Sequence, residues 1–342
     1  MRWTLIPKAG NLDRLTLVDY NSDAPKDNEV KINVKAIGLN FADIFAIFGL
    51  YSATPDGPFT PGLEFSGVVK EVGPEVKEFK PGDDVMGATR FGGYTTQITI
   101  EQHYIRPLPE GWTYEEGAAF IVQGLTAYYG LKYLGRLGAG ENVLIQSAAG
   151  GVGILANRIA KKFGARTIGA VGNEAKIPLL QEEGFDHFII RDRKFKKHLS
   201  EIVNDHPLDV VMECIGGKAL KASFDLLAPE GRLITYGSAR FAQPGKRPNY
   251  LKMIWPYLTR PRIDPQKMIE KNKAVLGFNL IWLYHKQEKL NRLLTELIDL
   301  DVGPQKVGHT FEFRDIKNAI QLFQTGKTTG KVVVTVNEYA LR

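Results

Sequence analysis

The run Val143-Leu144-Ile145-Gln146-Ser147-Ala148-Ala149-Gly150-Gly151-Val152-Gly153 carries the plainest chemical signal in the chain. A strand pattern leads into a glycine turn, and a helical pattern begins near Val152. Glycines there let backbone N–H groups at a helix start approach a pyrophosphate with no Cβ in the way. The sequence therefore predicts a bound dinucleotide, and with it redox chemistry. About 20 residues beyond the glycines, an NAD site places an acidic side chain on the ribose 2′-OH. Here the region reads Ala170-Val171-Gly172-Asn173-Glu174-Ala175-Lys176. Gly172 leaves room, and Lys176 supplies charge one turn into the next helix. Both favour a 2′-phosphate, so NADPH is expected over NADH. Glu174 opposes this only if it points inward; at a helix start it reads as a solvated residue. Lys176 also has a plain reading as a surface lysine.

These residues need elements to position them. The chain has 342 residues, 44% hydrophobic and 24% charged, which is long enough for two domains with ordinary globular composition. Residues 29–38 alternate as a strand, and Asn40 to Phe48 reads as a helix. Phe65–Val72 and Tyr94–Ile100 are further strand candidates, with a turn at Pro81-Gly82-Asp83-Asp84 between them. After about Glu115 the character changes. Strands are expected at Val143–Ser147, Thr167–Val171, His187–Ile190, Asp209–Cys214 and Arg232–Tyr236. Helices are expected between them at Ile154–Phe163, Lys176–Glu183, Lys197–Asn204 and Lys218–Leu227. This alternation predicts an α/β fold with a doubly wound parallel sheet. Residues 240–275 break the rhythm. A helix near Lys289–Leu300, a strand at His309–Phe313, a helix at Asp315–Gln324 and a strand at Lys331–Val336 follow.

Bulk features bound the function. The single cysteine, Cys214, excludes an internal disulfide and a cysteine-based structural zinc site. The start of the chain has no signal-peptide pattern, no apolar run reaches membrane-spanning length, and a cytoplasmic location is expected. The net charge of +6 suits a phosphorylated cofactor. No RNA-binding motif accompanies it, so no nucleic-acid partner is expected.

In order along the chain stand Asn40-Phe41-Ala42-Asp43, Gly49-Leu50-Tyr51, Pro61-Gly62-Leu63-Glu64-Phe65-Ser66-Gly67 and Gly82-Asp83. The Ala-Ala-Gly-Gly-Val-Gly turn and Gly326-Lys327-Thr328-Thr329-Gly330-Lys331-Val332-Val333 complete the set. Over essentially its whole length the chain resembles the medium-chain dehydrogenase/reductase superfamily, in its zinc-independent quinone oxidoreductase branch. Gly237 to about Leu283, with Ala274-Val275-Leu276-Gly277-Phe278-Asn279, is most similar to the vesicle amine transport protein homologues. The resemblance implies a β-rich GroES-like catalytic domain over 1–122 and 276–342, a Rossmann domain over 123–275, and an active-site cleft between them. It also implies a homodimer joined along an edge strand of the Rossmann sheet. By position, Gly150, Gly151, Val152 and Gly153 would cradle the pyrophosphate and Lys176 would meet the 2′-phosphate. Arg191, where quinone reductases often carry tyrosine, would serve the same phosphate. Thr126 would lie near the nicotinamide ribose, with Tyr236 and Gly237 beside the cofactor. Phe278 and Asn279 would border the nicotinamide, and Lys331 would reach it from the last strand. Each has a plain reading too: Thr126 as a helix residue, Phe278 as core, Lys331 as a surface charge.

The motif match puts Asn40, Leu63 and Val122 where zinc alcohol dehydrogenases of the superfamily hold their metal. Leucine and valine have no lone pair to offer, so no metal is expected. Without a Lewis acid the substrate must accept hydride readily, as a quinone or an α,β-unsaturated carbonyl does. Tyr51 is the candidate hydrogen-bond donor to a developing oxyanion, or else a tyrosine packing its loop. Asn40 and Asp43 are expected at the nicotinamide, while also fitting as N-cap and first-turn acid of a helix. Phe45 and Phe48 suggest an apolar wall; Phe45 sits where some quinone reductases have tyrosine. The stretch Arg247-Pro248-Asn249-Tyr250-Leu251-Lys252-Met253-Ile254-Trp255-Pro256-Tyr257 mixes basic and aromatic residues. The stretch reads as a pocket lid, a partner surface, a weak membrane-surface contact or a core-covering loop, with lid and core favoured over membrane. A non-catalytic binding protein on the same fold stands as the alternative to the reductase.

Overall fold

The alternating run at 29–38 becomes a ten-residue strand around which the first half of the chain is organised. The structure, a computed structural model, describes residues 1–337. Strands β1 (Arg2–Leu5) and β2 (Leu15–Val18) form a small antiparallel pair. Then come β3 (Glu29–Gly38), α1 (Phe41–Ile47), β4 (Glu64–Val72), β5 (Asp84–Ala88), β6 (Gln97–Glu101) and β7 (Ile105–Pro107). Two short helices, α2 (Tyr114–Ala118) and α3 (Ile121–Tyr128), lead out of this region.

The second region alternates as expected: β8 (Asn142–Gln146), α4 (Gly151–Lys162), β9 (Arg166–Val171), α5 (Ile177–Glu182), β10 (His187–Ile190) and α6 (Phe195–Val203). It continues through β11 (Leu208–Glu213), α7 (Gly217–Leu226), β12 (Leu227–Thr235), α8 (Tyr250–Leu258), α9 (Pro265–Lys271) and β13 (Ala274–Gly277). The six strands are all parallel, in the order β10-β9-β8-β11-β12-β13. A sheet covered on both faces demands strands apolar on both sides. In β8, Leu144 packs into one cluster with Ile168, Leu199 and Val211, while Val143 and Ile145 join Ile159, Val210 and Met212 in another.

The chain then returns through α10 (Gln287–Asp299), β14 (Val307–Glu312), α11 (Ile316–Gln324) and β15 (Lys331–Thr335). Strand β15 pairs antiparallel with β3, Val334 facing Ile37, and completes a seven-stranded sheet ordered β14-β15-β3-β4-β5-β7, with β6 on β3. So the two ends of the chain build one sheet.

Strand β13 extends the parallel sheet to Gly277, Leu276 and Gly277 pairing with Ile234 and Thr235. One expectation needs correction: the Arg247–Tyr257 stretch is not a core-covering loop. Neither α8 nor α9 has a buried residue, and Leu251, Trp255 and Ile269 are largely exposed. The segment leading to α8 is held by the N- and C-terminal parts of the chain. The Leu12 N–H donates to the Lys246 carbonyl (2.8 Å) and the Gly245 N–H to Gln324 Oε1 (3.1 Å).

Candidate active site

The order of the parallel sheet reverses between β8 and β11, and the crevice beyond those strand ends is where such sheets take ligands. The glycine turn lies there. Ser147 leaves β8 with φ 54°, Gly150 is extended (φ −93°, ψ 170°), and α4 starts at Gly151. The amides of Gly151, Val152 and Gly153 fall in the first helical turn and have no acceptor within the helix. A Cβ on Gly153 would lie 2.5 Å from the Ser147 carbonyl, so glycine is needed for helix and strand to pack. Gly151 answers to a different neighbour than expected. Its missing Cβ would lie 2.7 Å from Gln123 Oε1 and 3.2 Å from Gln305 Nε2, so packing against two glutamines imposes it.

Beside the turn, Lys176 and Arg191 flank Gly172. Arg191 Nη2 lies 3.4 Å from where a Cβ on Gly172 would be, and Glu174 faces solvent. Lys176 is not a free surface lysine: its ammonium donates to the carbonyls of Gly326 (2.8 Å) and Thr328 (2.7 Å). Burial, and then the nearby Arg191 charge, hold the Lys176 ammonium below its usual pKa. Two cations crowd one half-buried spot, an arrangement that a bound phosphate would relieve.

On the other side of the crevice, Phe278 stacks on Tyr236 (6.0 Å, 29°) and meets Tyr129 edge-on (5.1 Å, 70°). Gly237 abuts Cys214, whose thiol donates to the Gln146 carbonyl at 3.9 Å. The Tyr51 hydroxyl donates to Asn279 Oδ1 at 2.7 Å, joining residues 228 positions apart. Burial pushes the Tyr51 phenol up to about 12, so it stays a proton-bearing donor at neutral pH. Tyr51 also borders an apolar cluster of Ala53, Leu63 and Ile281 with Phe91 and Val122. Phe48 is buried and Phe45 half-buried, both on or beside α1.

Four expected site residues have their polar groups engaged by other side chains or backbone. Lys331 is 1% exposed and pairs with Glu64, itself fully buried, at 2.5 Å, so it is not the surface charge of its plain reading. Burial lowers the Lys331 pKa, while Glu64 opposes that shift. Asn40 occupies the N-cap position of α1, but its side chain points inward. Its Nδ2 donates to Glu64 Oε1 (2.9 Å), and its Oδ1 receives Lys331 (3.0 Å) and Gln123 (2.7 Å). Asp43 has no exposed surface, so it cannot touch a substrate. Its Oδ2 accepts from the Asn40 N–H (2.8 Å) and the Tyr94 hydroxyl (3.0 Å), while its buried Oδ1 has no partner. The Thr126 hydroxyl donates to the Val122 carbonyl one turn back, at 2.7 Å, and keeps its lone pairs as acceptors.

Sequence reasoning missed Gln123, Gln305 and Tyr94, and gave Glu64 no role of its own. Glu64 is the hub: beyond Lys331 and Asn40 it accepts the Val122 N–H at 3.0 Å. Its retention beside a lost metal-binding pattern was the one available signal.

Comparison with known proteins agrees with this geometry. Residues 26–110 match the alcohol dehydrogenase GroES-like domain, and residues 151–296 match the zinc-binding dehydrogenase family. The synaptic vesicle membrane protein VAT-1 homolog of Rattus norvegicus is 33% identical over 98% of this chain and 84% of its own length. The chain belongs to the medium-chain dehydrogenase/reductase superfamily. Among solved structures, the Escherichia coli quinone oxidoreductase complexed with NADPH superposes with a TM-score of 0.83 at 27% identity. That match covers 98% of this chain and 99% of the other. The CurK enoyl reductase gives 0.81 at 27% identity, over 98% and 99%.

Zinc, which the second family's description names, does not fit here. Leu63 and Val122 contribute hydrocarbon, and the Asn40 amide is already engaged by three neighbours. Among the described residues no cluster of histidine, cysteine and carboxylate side chains could hold a metal ion. A nicotinamide dinucleotide phosphate does fit: unpaired amides at the glycine turn, two cations at Gly172 and an aromatic wall at Phe278 match its parts.

Proposed function

We propose that this protein is an NADPH-dependent reductase that passes hydride to a quinone or an α,β-unsaturated carbonyl. The observation that carries the reading is the apolar cluster of Ala53, Leu63, Val122 and Ile281, bordered by Tyr51, which takes in Leu63 and Val122, two of the positions where metal-dependent relatives need ligands. Gly151, Val152 and Gly153 would hold the pyrophosphate through their amides, and Lys176 and Arg191 the 2′-phosphate. Bound NADPH supplies a hydride from C4 of its nicotinamide. The chain's own part is then positioning and water exclusion, which can provide much of the barrier reduction for an acceptor that is already electrophilic. Tyr51, a neutral phenol at physiological pH, has one proton to give, now held by Asn279 Oδ1; on releasing that partner it would donate to the oxygen on which negative charge gathers. The division of labour follows the two sheets: the N- and C-terminal parts of the chain line the substrate side, and the parallel sheet holds the nucleotide. The outer edge of β13 is where a second copy would pair. The test is NADPH oxidation against a panel of quinones and enones; tight NADPH binding with no turnover by any acceptor would defeat the proposal.

One observation favours a second reading, a surface that meets anionic membranes without catalysis. Seven of the ten exposed large hydrophobics among the described residues lie between Tyr250 and Ile269. Residues 246–273 hold eight basic and two acidic side chains, an excess equal to the chain's whole net charge of +6. Apolar and basic groups on one exposed segment suit an interface with anionic lipid. Co-sedimentation with anionic vesicles at low salt, with and without NADPH, tests it; absence of binding would remove it.

A further inference from the structure

We propose that Gln123 is a positioning residue that ties the occupancy of the glycine turn to the placement of α1. The inference rests on the reading of that turn as the NADPH site. Gln123 is 8% exposed and sits on α3, the helix that joins the two sheets. Its two amide ends face different structures. The nitrogen donates to Asn40 Oδ1 at 2.7 Å, at the start of α1. The oxygen lies against Gly151, 2.7 Å from the place its Cβ would take, and accepts no hydrogen bond from the described residues. Gln305 holds the same glycine from another side, its Nε2 donating to the Gly151 carbonyl at 2.9 Å. Gly151 thus sits between two amides, one of which also grips the catalytic half of the molecule.

The grip is stiff. Asn40 is fixed by Glu64 and Lys331, and Glu64 also holds the backbone of Val122, the residue before Gln123. These contacts close a ring through Asn40, Glu64, Val122 and Gln123, and Gln123 is the only member against the turn. Helix α1 runs from Asn40 toward Gly49-Leu50-Tyr51, and Tyr51 packs against the apolar cluster of Ala53, Leu63 and Ile281. A phosphate drawn to the α4 amides presses on the Gly151 backbone. That displacement passes through one rigid amide to the start of α1 and sets the Tyr51 side of the cleft against the nicotinamide. A neutral group that donates at one end and accepts at the other is what this place requires; leucine removes both functions at nearly the same volume, and glutamate removes the donor and adds charge.

The experiment compares wild type with Gln123→Leu and Gln123→Glu. For Gln123→Leu the expected result is NADPH affinity within about twofold of wild type and a kcat about tenfold lower, the scale of a misplaced reacting pair. The isotope effect on kcat with 4-deuterated NADPH should rise, since hydride transfer becomes more nearly limiting. For Gln123→Glu, NADPH affinity should also fall, because the carboxylate faces the pyrophosphate. A second readout needs no turnover: amide hydrogen exchange with and without NADPH. In wild type NADPH should slow exchange in both the first turn of α4 and α1; in Gln123→Leu the protection should persist in α4 and vanish in α1. Equal protection of α1 in both proteins, or a kcat for Gln123→Leu equal to wild type, overturns the inference. Coupled protection in a wild type that reduces no acceptor would instead defeat the proposed activity and leave the coupling standing. No NADPH binding to wild type would overturn both.

Discussion

Replacing Asp43 with asparagine should make the protein more stable above neutral pH, although it removes a charged residue beside an ammonium. Asp43 is completely buried, and burial raises its carboxyl from 3.8 to about 7, against the opposing pull of the Asn40 amide and Lys331. A carboxyl whose folded pKa lies above its unfolded value contributes fully below the unfolded value, near pH 4. That contribution is lost as pH rises through 7. A rise of this size corresponds to roughly 4 kcal/mol at pH well above 7. The same energy is visible in the geometry: Oδ2 has two donors, but the buried Oδ1 has none to offset desolvation of the anion. Asparagine keeps an oxygen for the Asn40 N–H and Tyr94 and never ionises. Urea unfolding at pH 5 and pH 8, at matched ionic strength, should show wild type losing stability between the two while Asp43→Asn loses less by about 2–3 kcal/mol, the part of the total that falls in that window. Parallel pH dependence in the two proteins would refute the reasoning. Because Asp43 does not reach the cleft, kcat should stay within about threefold of wild type, less than 1 kcal/mol. A folded variant with turnover abolished would restore the direct catalytic role that the sequence suggested.

Glu64→Gln should strand a buried ammonium and cost on the order of 3–5 kcal/mol, with most of it recovered in the double variant Glu64→Gln/Lys331→Met. The Lys331 pKa, already lowered by burial, falls further without Glu64, so the unfolded chain holds more protons up to the ordinary lysine range and stability rises with pH there. Thermal unfolding from pH 7 to 10 should therefore show the single variant's deficit narrowing; a constant deficit contradicts this. Lys176→Ala should weaken NADPH about 10- to 100-fold, the worth of charged hydrogen bonds to the 2′-phosphate, and leave NADH nearly unchanged. Equal losses in a calorimetric titration would reassign the residue. Gly151→Val should abolish NADPH binding with far-ultraviolet circular dichroism retained, since its side chain would collide with Gln123 and Gln305 at the turn; undiminished affinity would sink the cradle.

Much of the molecule was legible in its sequence because the signals are local. The strand–glycine–helix run at 143–153, the strand and helix periods that follow it, and the room left at Gly172 depend on neighbouring residues and backbone sterics. The chemical poverty of Leu63 and Val122 as metal ligands is a property of the side chains themselves. What the tertiary structure decided is where polar side chains spend their hydrogen bonds. Lys331 meets Glu64 across 267 positions, Tyr51 meets Asn279 across 228, and Gln123 meets Asn40 across 83. Such pairs follow from the register of β15 on β3 and from the placement of α3 between two sheets, neither of which leaves a periodic trace in the chain. The same holds for α8, whose apolar residues read equally well as core or surface until its packing was known. A local pattern states which face or turn a residue occupies; only the folded neighbours determine whether a buried charge finds a partner, and that pairing turned expected cofactor contacts at Asn40, Asp43 and Lys331 into the framework beneath the cleft.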